Sequence, residues 1–120
     1  MTEIQNSKHY DLEKRTLKFA KEVRFFVKKI PRTIGNIEDG KQVIRSSGSI
    51  GANYIEANES LSKKDFVMRI KICRKEAKET EYWLLLIDIH DAQSEAERVN
   101  LVKESVELRK IFGSILEKSK

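Results

Sequence analysis

Ser62-Lys63-Lys64-Asp65-Phe66-Val67-Met68-Arg69-Ile70-Lys71-Ile72-Cys73-Arg74-Lys75-Glu76-Ala77-Lys78-Glu79-Thr80-Glu81-Tyr82-Trp83-Leu84-Leu85-Leu86-Ile87 is the stretch that decides the fold. Within it Phe66, Ile70, Cys73, Ala77, Thr80, Leu84 and Ile87 recur at alternating four- and three-residue steps. That period keeps one side of an α-helix continuously against a neighbour, the seam that bundled helices share. Ser62, with Asp65 three residues on, supplies a capping-box start, Asp standing where Glu or Gln is usual. The spacing predicts a helix over about Lys63–Ile89, with His90 to Gln93 as the next connection.

The same logic extends to both sides. Upstream, Leu12, Thr16, Phe19, Val23, Phe26 and Ile30 draw one stripe along a helix from about Tyr10 to Ile30. Pro31 stops it, because the residue before a proline avoids the α region. Arg32 to Asn36 then reads as a loop. A second helix is predicted over about Ile37–Glu59, with Val43, Ile50, Tyr54 and Ala57 as its stripe. Its middle, Ser46-Ser47-Gly48-Ser49-Ile50-Gly51-Ala52-Asn53, is poor in helix formers, each glycine costing about 1 kcal/mol relative to Ala. Helix is still preferred there, because small residues let two backbones approach closely. Downstream, Ser94 with Glu97 marks the start of a fourth helix, whose apolar face is read as Val99, Val102, Val106, Leu108, Phe112 and Ile115. Four long helices joined by short connections imply an all-α, antiparallel up-down-up-down four-helix bundle, one domain over 1–120, with the polar stretch 1–8 expected to be disordered.

Composition agrees with that architecture. The 120 residues suffice for one domain, and a charged fraction of 36% calls for long solvated helical faces. The single Cys73 forms no intrachain disulfide and points to a reducing compartment; its reading as a buried small residue outweighs that of a reactive thiol. The start of the chain lacks the basic-then-apolar pattern of a secretory leader, and the longest apolar run, Tyr82 to Ile87, is far below a membrane span. A cytoplasmic location is therefore expected.

Catalytic constellations are hard to find. A di-metal bundle needs Glu-x-x-His on two helices, but the chain has only His9 and His90, and Ile87 stands three residues before the latter. His90 is read instead as a partner for the dipole at the end of helix three. No histidine lies at a helical spacing from Cys73. Gly48-Ser49-Ile50-Gly51 lacks the Lys-Ser/Thr that a phosphate loop requires. Ser46, Ser47 and Ser49 near Lys41 and Arg45 read as small spacers rather than a Ser-Lys pair. No metal, no cofactor and no enzymatic activity are expected.

Charge is more informative. The formal net charge is +5, and the residues of Met1–Ile34 alone carry that whole excess. Lys14, Lys18, Lys21, Lys28 and Arg32 step along one side of the first helix, while Lys71, Lys75 and Lys78, with Lys64 and Arg74, do so on the third. Two readings stand: lysines solvating the outside of a bundle, or a phosphate-binding surface for RNA or DNA. Leu17, Phe25, Ile44, Trp83 and Leu85 lie off the main stripes and require a second buried surface, so a homo-oligomer is expected.

Val43-Ile44-Arg45-Ser46-Ser47-Gly48-Ser49-Ile50-Gly51-Ala52-Asn53-Tyr54-Ile55-Glu56-Ala57 resembles the second helix of the 23S rRNA intervening-sequence proteins, a bacterial family of four-helix bundles. Arg45, Ser49, Ile50, Asn53 and Glu56 hold the matching positions. The segment from Lys75 to Leu84, with Glu76 and Glu79, is similar to the family's third helix, and Tyr10-Asp11-Leu12 and Lys63-Lys64-Asp65-Phe66 also fit. Gly51 departs from the pattern, many members having proline there, which implies a less kinked helix. The resemblance implies an up-down bundle assembling as a ring-like homopentamer, without enzymatic activity. Some members are encoded within 23S rRNA genes. A related protein is the accessory subunit of diversity-generating retroelements, engaging nucleic acid and a reverse transcriptase. The expected function is thus a nucleic-acid-associated homo-oligomer, the alternative a protein-interaction scaffold partnering a reverse transcriptase without binding nucleic acid itself. Arg45, Ser49, Asn53 and Glu56 share one helix face, where they could cap a helix contact, line a subunit interface or hold a ligand. Arg45 and Glu56 are expected to pair with charged groups, with Glu76, Glu79 and Arg74 as candidates.

Overall fold

The structure, a computed structural model, describes residues 2–120, with side chains from Asp11 onward. The expectation of disorder over 1–8 falls on Met1, outside the described residues, and on residues described as backbone only; the side chain of His9 likewise lies outside. Four helices follow one another, α1 (Thr2–Lys29), α2 (Ile34–Asn58), α3 (Lys63–Leu86) and α4 (Ala92–Lys118). No strand occurs among the described residues.

Each helix touches its neighbours in cyclic order, α1–α2–α3–α4–α1, and α1–α4 is the loosest seam. Neighbours run antiparallel, as the paired residues show. Thr16 lies against Gly51 and Val27 against Gly40 between α1 and α2. Arg69 bonds Asn53 while Ser46 bonds Thr80 between α2 and α3. Arg15 meets Glu104, and Lys29 meets Glu97, between α1 and α4. Arg98 reaches Leu84, and Gly113 lies near Arg74, between α3 and α4.

On α1, α2 and α3 the core follows the seams read from the sequence, except that Phe66 is only half-buried. Leu12, Thr16, Phe19, Val23, Phe26 and Ile30 are all buried on α1. So are Val43, Ile50, Tyr54 and Ala57 on α2, and Ile70, Cys73, Ala77, Thr80 and Leu84 on α3, with Ile87 just beyond its end. The Ser46–Asn53 stretch is helical throughout, and its small residues have the expected use. A Cβ on Gly51 would stand 2.8 Å from Thr16 Oγ1, and one on Gly40 3.0 Å from Val27 Cγ1. Ser46 Oγ lies 2.8 Å from Thr80 Oγ1 inside the α2–α3 seam, so both buried hydroxyls are satisfied.

One seam and several helix bounds are corrected, α1 beginning at Thr2 rather than near Tyr10. The α4 seam is Ser94, Leu101, Ser105, Leu108, Phe112 and Leu116, whereas Val99 is exposed and Val106 only half-buried. Leu108 and Phe112 lie on it as read, but two serines occupy other seam positions, and the valines Val99, Val102 and Val106 lie to one side of it. Helix α2 starts at Ile34 rather than Ile37, because Thr33 Oγ1 accepts from the Asn36 amide at 3.0 Å. Helix α4 starts at Ala92, capped by Asp91, whose carboxylate accepts from the Ser94 amide at 2.9 Å.

The α3 terminus also differs, ending at Leu86 rather than Ile89. Ile87 is extended, and Arg98 of α4 donates to the carbonyls of Leu84 and Ile87, which further helical turns would otherwise have satisfied. The cation serving that end of the dipole is therefore Arg98; His90 lies in the connection beyond it.

Candidate nucleic-acid interface

Helix α1 sorts its cations by side. Facing α4, Arg15 makes two bonds to the Glu104 carboxylate at 2.7 and 2.8 Å, and Lys29 two to Glu97 at 2.6 and 2.8 Å. The Glu104 bond is the main reason the Arg15 guanidinium is held even more firmly in its charged form. These pairs clip the loosest seam of the bundle.

The outward side carries Lys14, Lys18, Lys21 and Lys28, and Arg32, read from the sequence as part of the same stripe, lies beyond the helix in the connection to α2; all five are exposed. Lys18 stands 4.0 Å from Glu22. Among the described residues no carboxylate lies within ion-pair reach of Lys21, Lys28 or Arg32. Two apolar side chains interleave with these cations: Leu17 is 56% and Phe25 64% exposed. The Lys28 ammonium lies 5.4 Å from the Phe25 ring centroid, in cation–π range. Lys14, Leu17, Lys18, Lys21, Glu22 and Phe25 together line a shallow depression of about 390 Å³.

On α3, Lys71, Lys75 and Lys78 are likewise exposed, with no carboxylate of the described residues in ion-pair reach. Cations on both helices are thus presented to solvent beside an exposed ring, Phe25 on α1 and Tyr82 on α3; on α1 the Lys28 ammonium also lies over that ring.

The polar row of α2 takes up a different role. Arg45 pairs with Glu76 at 3.4 Å and with Glu79, and Glu79 Oε1 also accepts from the Trp83 indole at 3.0 Å. Glu76 is buried, so this is a partly desolvated α2–α3 clamp and not an open anion site. Asn53 donates to the carbonyl and hydroxyl of Ser49, both at 2.9 Å, and accepts from Arg69 at 3.0 Å. Glu56 is exposed, with no charged partner among the described residues, and Arg74 lies on the α4 side of α3. The expected pairing of Glu56 fails because its position has turned out of the α2–α3 contact. Arg69, which completes the row, was missed; its signal was a cation on the α2-facing side of α3, level with Asn53.

Two further ionisable groups lie inside the bundle. Cys73 donates to the Ile50 carbonyl, its sulfur 3.4 Å from the oxygen, and burial pushes its thiol up to about 12. Burial also raises the Tyr54 phenol. No group of three or more His, Cys, Asp and Glu side chains among the described residues is placed to hold a metal ion. No helix among them is long and apolar enough to cross a membrane.

Comparison with known proteins places this geometry. A crystal structure of a protein of unknown function from the S23 ribosomal protein family of Bacteroides thetaiotaomicron is similar, with a TM-score of 0.75 and 32% identity, over 92% of this chain and 98% of that one. No match was found among curated proteins. The family model described as 23S rRNA-intervening sequence protein matches residues 8–114, nearly the whole bundle. The chain belongs to the 23S rRNA-intervening sequence protein family.

Proposed function

We propose that this protein is a non-enzymatic, cytoplasmic homo-oligomer that associates with RNA or DNA through the outer face of α1. The observation that carries the reading is the division of cations on that helix. Arg15 and Lys29 are consumed by α4 carboxylates, whereas Lys21, Lys28 and Arg32 are exposed without acids of their own. Cations in that state gain from phosphates by releasing condensed counterions. Such contacts position a strand without reading its sequence. The family resemblance adds a ring of five as the expected assembly, which would repeat this face around an axis.

Binding of labelled single-stranded RNA and duplex DNA of unrelated sequences, followed by anisotropy across a salt series, tests the reading. The expected result is an affinity that falls steeply with salt and varies little with sequence. Joint replacement of Lys21, Lys28 and Arg32 by Gln should flatten the logarithmic salt slope by about 2 to 3, at roughly 0.7 to 0.9 per phosphate lost. Absence of binding at low salt, or a slope the triple replacement leaves unchanged, overturns it and leaves the scaffold reading, with a reverse transcriptase as partner. Light scattering tests the ring separately: five copies of 14.0 kDa give about 70 kDa, whereas a 14.0 kDa particle would remove the oligomer.

A further inference from the structure

Helix α3 carries a second heptad row, opposite the buried one. Met68, Ile72, Lys75, Glu79, Tyr82 and Leu86 follow at steps of four, three, four, three and four. Met68, Tyr82 and Leu86 are 55%, 57% and 45% exposed, and Ile72 is half-buried. The order is two apolar residues, a cation, an anion, then two apolar residues, centred on the level of Ala77. That order is complementary to its own reverse.

We infer that the outer face of α3 is a docking surface for α3 of a second copy, packed antiparallel about a two-fold axis at the level of Ala77. In that register Met68 meets Leu86 of the copy, Ile72 meets Tyr82, and Lys75 meets Glu79, each contact occurring twice. Charge selects the direction. A parallel register would set Lys75 against Lys75 and Glu79 against Glu79, whereas the antiparallel one pairs each with its opposite. Both ions are prepared for this. No carboxylate of the described residues reaches Lys75, although Glu79 lies one turn away on the same side. Glu79 takes its bonds from Arg45 and Trp83 on Oε1, which holds the carboxylate in place while Oε2 carries neither. Lys78 approaches its own copy only at the rim, where solvent screens like charges.

This contact does not depend on the nucleic-acid reading and differs from a ring contact. A ring of five repeats one head-to-tail interface, whereas a two-fold pairing is isologous and joins two copies, or two rings, across α3. Cysteine placement reads the register directly. Met68 and Leu86 are 18 residues apart, about 27 Å along the helix at ~1.5 Å per residue, and both are exposed enough to replace without disturbing the core. A Met68→Cys chain mixed with a Leu86→Cys chain under mild oxidation should give a disulfide-linked dimer at least about five-fold more abundant than either chain alone, since the antiparallel register brings only unlike positions together. Adding Lys75→Glu to both chains should remove that excess by setting acids against acids. Equal cross-linking in single chains and mixture, no cross-link in the mixture, or indifference to Lys75→Glu each overturns the proposal. None of these variants touches α1, so the salt slope of nucleic-acid binding remains an independent readout.

Discussion

Two glycines three residues apart on α2 should respond in opposite directions to the same substitution. A Cβ at Gly48 meets only the flexible end of Arg24, at 3.9 Å. Gly48→Ala therefore gains helix propensity at no steric cost, a stabilisation of about 0.5 to 1 kcal/mol. A Cβ at Gly51 would sit 2.8 Å from Thr16 Oγ1 and 3.1 Å from its Cβ, and Thr16 is buried in the α1–α2 contact. Separating the helices there costs about 1 to 3 kcal/mol, which meets or exceeds the same propensity gain. The two variants should thus differ by about 1 to 3 kcal/mol, or several degrees in Tm for a domain of this size. Thr16 Oγ1 donates only within its own helix, to the carbonyls of Leu12 at 2.9 Å and Glu13 at 3.0 Å. Thr16→Ala accordingly removes the obstructing oxygen without breaking an interhelical bond, and should restore part of the loss when combined with Gly51→Ala. Urea unfolding followed by circular dichroism, at one fixed protein concentration because assembly shifts apparent stability, measures all four variants. Gly51→Ala proving as stable as Gly48→Ala, or Thr16→Ala failing to couple with it, would refute the close approach of α1 and α2.

Arg98→Ala should lower stability by about 1 to 3 kcal/mol in thermal unfolding, since it strips a charged donor from the last carbonyls of α3, and Arg98→Lys should recover only part. Cys73 should resist iodoacetamide in the native protein and react once urea unfolds it, because burial raises its thiol to about 12; rapid native alkylation would contradict the packing. The Ser94 amide holds the Asp91 carboxylate below its ordinary range, so the stability it contributes is complete at neutral pH and lost as pH falls through that lowered value. Asp91→Asn, which keeps the cap without the charge, should therefore lose less Tm than the wild type on acidification below about pH 4.

Legibility followed the continuity of each pattern. The α3 seam could be read almost to the residue, because seven positions repeat without a gap and only Thr80 is polar. The α4 seam could be read only in part: Leu108 and Phe112 lie on it, but Ser94 and Ser105 sit where hydrophobic residues would have announced the rest, and Val99 and Val106 drew attention to the wrong face. Ser62 marked the start of α3 as read, but the starts of α2 and α4 were missed by a few residues, Thr33 and Asp91 each being one candidate cap among several nearby. For the candidate interface, the exposure of the α1 lysines followed from their spacing. Which cations would be neutralised did not: Glu104 lies 89 residues from Arg15 in sequence, and only the folded seam brings them together. The Arg45 clamp was within reach because its partners Glu76 and Glu79 recur on one face of α3, whereas Arg69 is tied to the row by its bond to the Asn53 amide, which spacing does not announce.

The amide of Asn36 makes the two ends of the bundle unequal. This buried side chain donates to the carbonyls of Pro31 at 2.9 Å and Asp88 at 3.0 Å and accepts from the Asp88 amide at 2.9 Å, so one residue ties the α1–α2 connection to the α3–α4 connection. Lys29–Glu97 and Arg98 reinforce the same end. The far end holds the α2–α3 connection and the outer tips of α1 and α4, where, among the described side chains, an exposed bond from Asn58 to Glu13 joins α2 to α1. Thermal opening then has a fixed origin: helices part from the far end and stay hinged at Asn36, so amide-exchange protection should rise along the long axis toward that residue. The molecule behaves less like a rigid rod than like a clip, sprung at one end.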